Sequence, residues 1–221
     1  MDLILAIIVI LIPLIAQIEV SGNYRKYKKV KNTKELTGYD VARKILDENG
    51  LGDIYIVETT GELTDHYDPT KRVVRLSSDI YHGKTIAAMS VAAHECGHAV
   101  QDKDGYTFMR IRSAIFPIVN VATSISYWII LLGFLFELLD LIYIGIALTC
   151  LGLLFQIVTL PVEFDASKRA GVFLKEYNLA TEDESKGVKK MLGAAAMTYV
   201  AGVLASALQI LRLILVARNN D

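Results

Sequence analysis

Ala92-Ala93-His94-Glu95-Cys96-Gly97-His98-Ala99-Val100-Gln101 contains the pattern His-Glu-x-x-His, and the rest of the chain is read outward from it. On an α-helix, residues i and i+4 share a face one turn apart. His94 and His98 can therefore offer two imidazole nitrogens to one metal ion. Zn²⁺ suits this best, because it takes nitrogen and oxygen ligands and stays tetrahedral. Glu95 projects about 100° around the helix from His94, beside the open coordination position rather than in it. A zinc ion lowers the pKa of a bound water towards ~7, and a neighbouring carboxylate takes the proton as the water attacks a carbonyl. The competing account is a helix whose histidines are merely packed or hold a structural metal. The run Ile86-Ala87-Ala88-Met89-Ser90-Val91-Ala92-Ala93 is rich in small residues and lets the helix, expected over Lys84 to about Gln101, pack closely. Cys96 is expected to be a small buried side chain rather than a ligand.

The 221 residues are 53% hydrophobic, too apolar for an ordinary soluble domain. The net charge of −1 gives no basic field, so no nucleic-acid partner is expected. The two cysteines, Cys96 and Cys150, do not read as a disulfide framework.

Four apolar runs account for the hydropathy: Leu3 to Val20, Ala114 to Phe136, Leu141 to Pro161 and Met191 to about Ala217. Each is long enough to span a bilayer. The first has no basic side chain before it and six after it, Arg25, Lys26, Lys28, Lys29, Lys31 and Lys34. It reads as a retained anchor whose following loop is cytoplasmic. Residues 21–113 and 162–190 hold 15 and 6 of the 23 Lys and Arg, so both segments are expected on the cytoplasmic side. Gly202-x-x-x-Ser206 fits close packing of the last span. Pro161 is pre-set for a first helical turn or a kink.

Between the first two runs, Leu36 to Asn49 reads as a helix with a capping box near Thr37 and a stop at Gly50. Strands are expected over 53–58, 63–68 and 72–77, with a turn at Asp68-Pro69-Thr70-Lys71. The last strand, just before the metal helix, is either a free edge for an extended peptide or an ordinary core strand. Residues 174–190 read as loop plus a short helix.

A catalytic zinc needs a third protein ligand. His66 and His82 lie upstream of the motif. Downstream, Glu163 is expected at the cytoplasmic end of the third span, with Asp165 as its rival. Tyr81, His82, Arg169 and Tyr199 are candidates by residue type alone for stabilising an oxyanion.

Val91 to Gln101, Arg75-Leu76-Ser77 and Leu160-Pro161-Val162-Glu163-Phe164-Asp165-Ala166-Ser167 together resemble the YugP-type neutral zinc metallopeptidases of bacteria, over nearly the whole chain. More distantly the chain resembles the HtpX-type membrane peptidases. Their downstream motif is Glu-x-x-x-Asp, whose first residue is the third zinc ligand. The likeness implies Glu163 as that ligand, while Ser167 stands where those enzymes have Asp. It further implies a mainly α membrane protein with about four transmembrane helices and a small α+β, zincin-like catalytic domain on the cytoplasmic side. The expected organisation is an anchor over 1–22, a catalytic region over 23–113, a transmembrane hairpin over 114–161, a third-ligand segment over 162–190 and a final span over 191–221. The expected activity is that of a Zn²⁺-dependent endopeptidase in the bacterial cell membrane, acting on polypeptide substrates. His94, His98 and Glu163 would hold the metal and Glu95 would act as base. An intramembrane protease and a membrane scaffold with a structural zinc are the alternatives.

Overall fold

The computed structural model describes residues 2–219. In chain order the elements are α1 (Asp2–Tyr27), α2 (Gly38–Glu48), β1 (Tyr55–Thr59), β2 (His66–Asp68), β3 (Val73–Ser77), α3 (Ser78–Tyr81), α4 (Ile86–Lys103), α5 (Thr107–Leu135), α6 (Leu139–Glu176) and α7 (Glu182–Asn219). They form two compact units. One comprises Ile18–Tyr106 and Val162–Ala196; the other comprises Met1–Gln17, Thr107–Pro161 and Met197–Asp221.

The first unit is organised around α4. Thr85 caps it, its hydroxyl accepting from the Ala88 N–H at 3.2 Å. Ala87, Ala88, Met89, Ala92, Ala93 and Cys96 are wholly buried, so this helix is covered on most of its circumference. Helix α2 packs along it through Val41, Ala42, Ile45 and Leu46, the apolar stripe of an amphipathic helix. The expected capping box is present at Thr37 and Asp40, and Gly50 closes α2 with φ +66°. Cys96 donates its thiol to the Ala42 carbonyl at 3.6 Å, and burial pushes that thiol well above the usual cysteine range. It is a packing residue, as its position between the two histidines suggested.

The three strands form one sheet in the order β1-β3-β2. β1 runs parallel to β3 and β2 antiparallel to it. The turn from β2 to β3 is held by Asp68, whose Oδ1 accepts from Thr70 N at 3.0 Å and Lys71 N at 3.1 Å. The free-edge alternative for β3 is thereby excluded: both of its sides are paired, and its burial is nearly continuous, as a central strand requires. The edges of the sheet are β1 and β2.

One close approach fixes where α4 meets α6. A Cβ on Gly97 would lie 2.7 Å from the Ala166 carbonyl oxygen and 3.2 Å from its Cα. Backbone cannot yield as a flexible side chain can, so only glycine lets the two helices come this near. Gly97→Ala should force them apart, at a cost of about 1–3 kcal/mol for an overpacked contact. We expect a lower thermal midpoint in detergent and weaker zinc retention in the same variant; an unchanged midpoint with full zinc content would contradict this packing.

In the second unit the helical segments pack through small residues. Gly133 faces Ile142, Gly145 faces Ile130, and Gly152 faces Thr123. Gln156 Nε2 donates to Ser206 Oγ at 2.9 Å, and a Cβ on Gly202 would lie 3.4 Å from Gln156 Oε1. Gly202 and Ser206 thus both face Gln156, but the contact at Gly202 is an ordinary one and not the close backbone approach expected of the pattern.

Among the described residues, four helices, α1, α5, α6 and α7, are long and apolar enough to cross a membrane. Their outward surfaces carry large apolar side chains such as Leu3, Ile10, Ile118, Trp128 and Leu135, each more than 60% exposed. So much apolar surface suits contact with lipid. Several boundaries differ from the sequence reading: α1 runs on to Tyr27, β2 is confined to His66–Asp68 and α5 begins at Thr107, and the largest change is at α6 and α7. α6 continues without a break from Leu139 through Pro161 to Glu176, and α7 begins at Glu182. The expected loop plus short helix over 174–190 is therefore only a five-residue turn, 177–181, between two long helices. Charged residues extend each helix beyond its apolar part, and hydropathy alone does not mark where the helix stops.

Candidate metal centre

Three side chains from two helices converge. α4 presents His94 and His98 one turn apart, with ring centroids 4.7 Å apart. α6 presents Glu163, whose Oε2 lies 3.3 Å from His94 Nε2 and 3.5 Å from His98 Nε2. The three ligand atoms all lie within 4.8 Å of one another. Four ligands placed tetrahedrally about zinc at ~2.0–2.1 Å would be about 3.3 Å apart. The oxygen–nitrogen separations match that edge, and two imidazoles with one carboxylate are the donor set of a catalytic zinc with one position open. The donors fit the metal. Glu163 is 2% exposed and His98 7%, so water does not compete freely for these atoms.

The outward ring nitrogens are also engaged. His98 Nδ1 is 3.0 Å from Gln101 Oε1. His94 Nδ1 is 3.3 Å from Ser167 Oγ. Burial disfavours a charged His98, yet the Glu163 carboxylate at Nε2, with Glu95 and Gln101 adding to it, raises the pKa above the ordinary histidine value. A proton and a metal cation thus compete for the same atom.

Glu95 is buried beside the group without belonging to it. A second carboxylate feels its charge. Asp65, just before β2, accepts from Ser77 N at 2.7 Å and from Ser77 Oγ at 3.1 Å. Burial raises the pKa of Asp65, and the Glu95 carboxylate adds to the effect.

The rival ligand Asp165 is not in the group. Its Oδ2 accepts from Gln101 Nε2 at 2.9 Å and from Arg169 Nε at 2.6 Å. The reason is helical phase: two residues beyond Glu163, a side chain points about 200° away. His66 and His82 are exposed, beside the Thr64 carbonyl at 2.8 Å and Glu58 at 3.3 Å. Of the oxyanion candidates, Arg169 is committed to Asp165 and Asp104, and Tyr81 packs on Tyr39 and His82. Tyr199 is exposed on α7.

Sequence reasoning missed Gln101, Gly97 and Asp65. A signal for the first two was available. Gln101 follows His98 by three residues and so shares its helix face, and a glycine inside a metal-binding helix marks a close neighbour. Asp65 lies outside any periodic segment and carried no such mark. Ser167, noted only as a departure from Glu-x-x-x-Asp, nevertheless reaches the histidine ring one turn along from Glu163.

The family model described as "Putative neutral zinc metallopeptidase" matches residues 2–218. Among curated proteins, the "Putative membrane protease YugP" of Bacillus subtilis (strain 168) is 45% identical over 205 residues, covering 93% of this chain and 91% of that protein. No solved structure matches the chain.

Proposed function

The chain belongs to the neutral zinc metallopeptidase family, and from that membership we propose that it is a multi-pass endopeptidase of the cell membrane, cutting polypeptides at the cytoplasmic face. The family implies Zn²⁺ as cofactor. The observation that supports the reading is the convergence of His94, His98 and Glu163, with Glu95 buried at their side. In this reading the three residues bind the ion and Glu95 takes a proton from the attacking water on its carboxylate, then passes it to the leaving amine. Bound zinc would supply Lewis acidity towards the scissile carbonyl and towards that water. The Lys and Arg excess in 21–113 and 162–190 supports a cytoplasmic site. Cleavage outside the bilayer is supported by α4 itself: it is not one of the helices that qualify as spans, and it ends on Asp102 and Lys103. The catalytic region would run over 23–113 and the third-ligand segment over 162–190, with the remaining segments as anchors.

Two measurements test this. Purified full-length protein in detergent, given an unfolded test protein, should yield internal fragments. Chelation should stop the cleavage and added Zn²⁺ restore it; products trimmed only from an end would overturn the endopeptidase reading. For orientation, a Cys150→Ser background carrying Lys34→Cys should react with an impermeant thiol reagent only after cells are opened. Labelling of intact cells would place the basic loop outside and reverse the topology.

A further inference from the structure

Gln101 has no exposed surface, and burying a primary amide is costly unless its donors and its acceptor all find partners. Here they do. Nε2 donates to the Val162 carbonyl at 2.8 Å and to Asp165 Oδ2 at 2.9 Å, both on α6. Both donors are spent on oxygens that can only accept. Oε1 is left facing His98 Nδ1 at 3.0 Å, where it too can only accept. An imidazole that donates from Nδ1 keeps its lone pair on Nε2, the atom aimed at Glu163.

We propose that Gln101 is a positioning residue of the metal centre: it sets the tautomer and ring angle of His98, and Asp165 holds Gln101 in that orientation. The proposal rests on the reading of His98 as a zinc ligand. It extends the functional pattern on α4 to His-Glu-x-x-His-x-x-Gln and gives Asp165 a role at one remove from the metal. Asp165 is itself braced by Arg169 Nε at 2.6 Å, whose Nη1 donates to Asp104 at 2.6 Å. The contacts therefore run from a buried ring through an amide to an ion pair. His94 is supported differently. The Ser167 hydroxyl at its Nδ1 can donate or accept, so it does not dictate a tautomer. The two histidines are unequally constrained, and the loss of Gln101 should cost more than the loss of the Ser167 hydroxyl.

The test is the Zn²⁺ dissociation constant of full-length protein in detergent, measured by competition with a chromophoric chelator. Gln101→Met keeps the side-chain length and removes every polar contact. It should weaken zinc about 10- to 100-fold, the effect typical of losing a ligand's outer partner, and Ser167→Ala should weaken it less. Asp165→Ala frees the amide while leaving Gln101 in place; it should weaken zinc less than Gln101→Met does, and should add nothing further in the Gln101→Met background. His98→Ala separates the two levels of the argument. If that variant binds zinc like the parent, the ligand assignment itself is wrong. If it loses zinc while Gln101→Met does not, positioning by Gln101 is overturned. Further weakening by Asp165→Ala in the Gln101→Met background would overturn its action through Gln101. Should Gln101→Met not fold, Asp165→Ala decides alone: weakened zinc supports the proposal and parent-like affinity overturns it.

Discussion

Glu95→Gln should leave the zinc content of the purified protein unchanged and slow peptide hydrolysis by about 100- to 10,000-fold, the range that general acid–base catalysis commands. The amide has the shape of the carboxylate but cannot take up a proton at neutral pH. Glu95 lies outside the group formed by His94, His98 and Glu163, so its replacement removes no ligand. It is also 7% exposed, which shields its carboxylate from bulk water. A structural metal site has no use for a base in this place, so the experiment separates an enzyme from a scaffold. Metal analysis and initial rates on one preparation suffice. Activity within tenfold of the parent would remove Glu95 from the mechanism.

The second large effect concerns the acid on α6. Glu163→Ala should weaken zinc binding by more than the roughly 100-fold that outer partners command, because it deletes a donor atom itself. It should also lower the pKa of His98, since the Glu163 carboxylate at Nε2 is the principal contact raising it against burial. The sign follows directly: with the acid removed, burial acts against the imidazolium without that opposition. Asp165→Ala is the informative control. It should cost less, acting on zinc only through Gln101. If the two variants lose zinc equally, the assignment of the third ligand fails. In the parent protein, apparent zinc affinity should fall as pH drops through the raised pKa of His98, by about tenfold per pH unit for each proton displaced.

What could be read from the sequence follows from which physical signals are local. The i, i+4 spacing of His94 and His98 is a property of any helix, and the Thr37 capping box lies within four residues. Four long apolar runs need only a count. Glu163 was harder, because it is 65 residues beyond His98; its place at the end of an apolar run made it a candidate beside Asp165, and the resemblance favoured it. The sheet order was not legible: β3 sits between β1 and β2 through contacts that no periodicity records, so its sequence fitted an edge and a centre alike. The lengths of α6 and α7 were misjudged for a related reason. Their charged ends look like loop to hydropathy, whereas helical hydrogen bonding continues regardless of polarity. Gln101 carried the spacing that puts it on the face of His98, but its partners on α6 lie more than 60 residues away and are not local signals.

Glu163, Ala166, Ser167 and Ala170 form a single stripe on α6 at spacings of three and four. The proposed metal donor, the carbonyl that meets Gly97 and the hydroxyl beside His94 are thus graduations on one rigid rule. Adding or deleting one residue anywhere from 163 to 167 would turn everything beyond it by about 100° and dislodge several partners together. An insertion or deletion within that part of the helix should therefore be tolerated far less than one in the turns on either side of it.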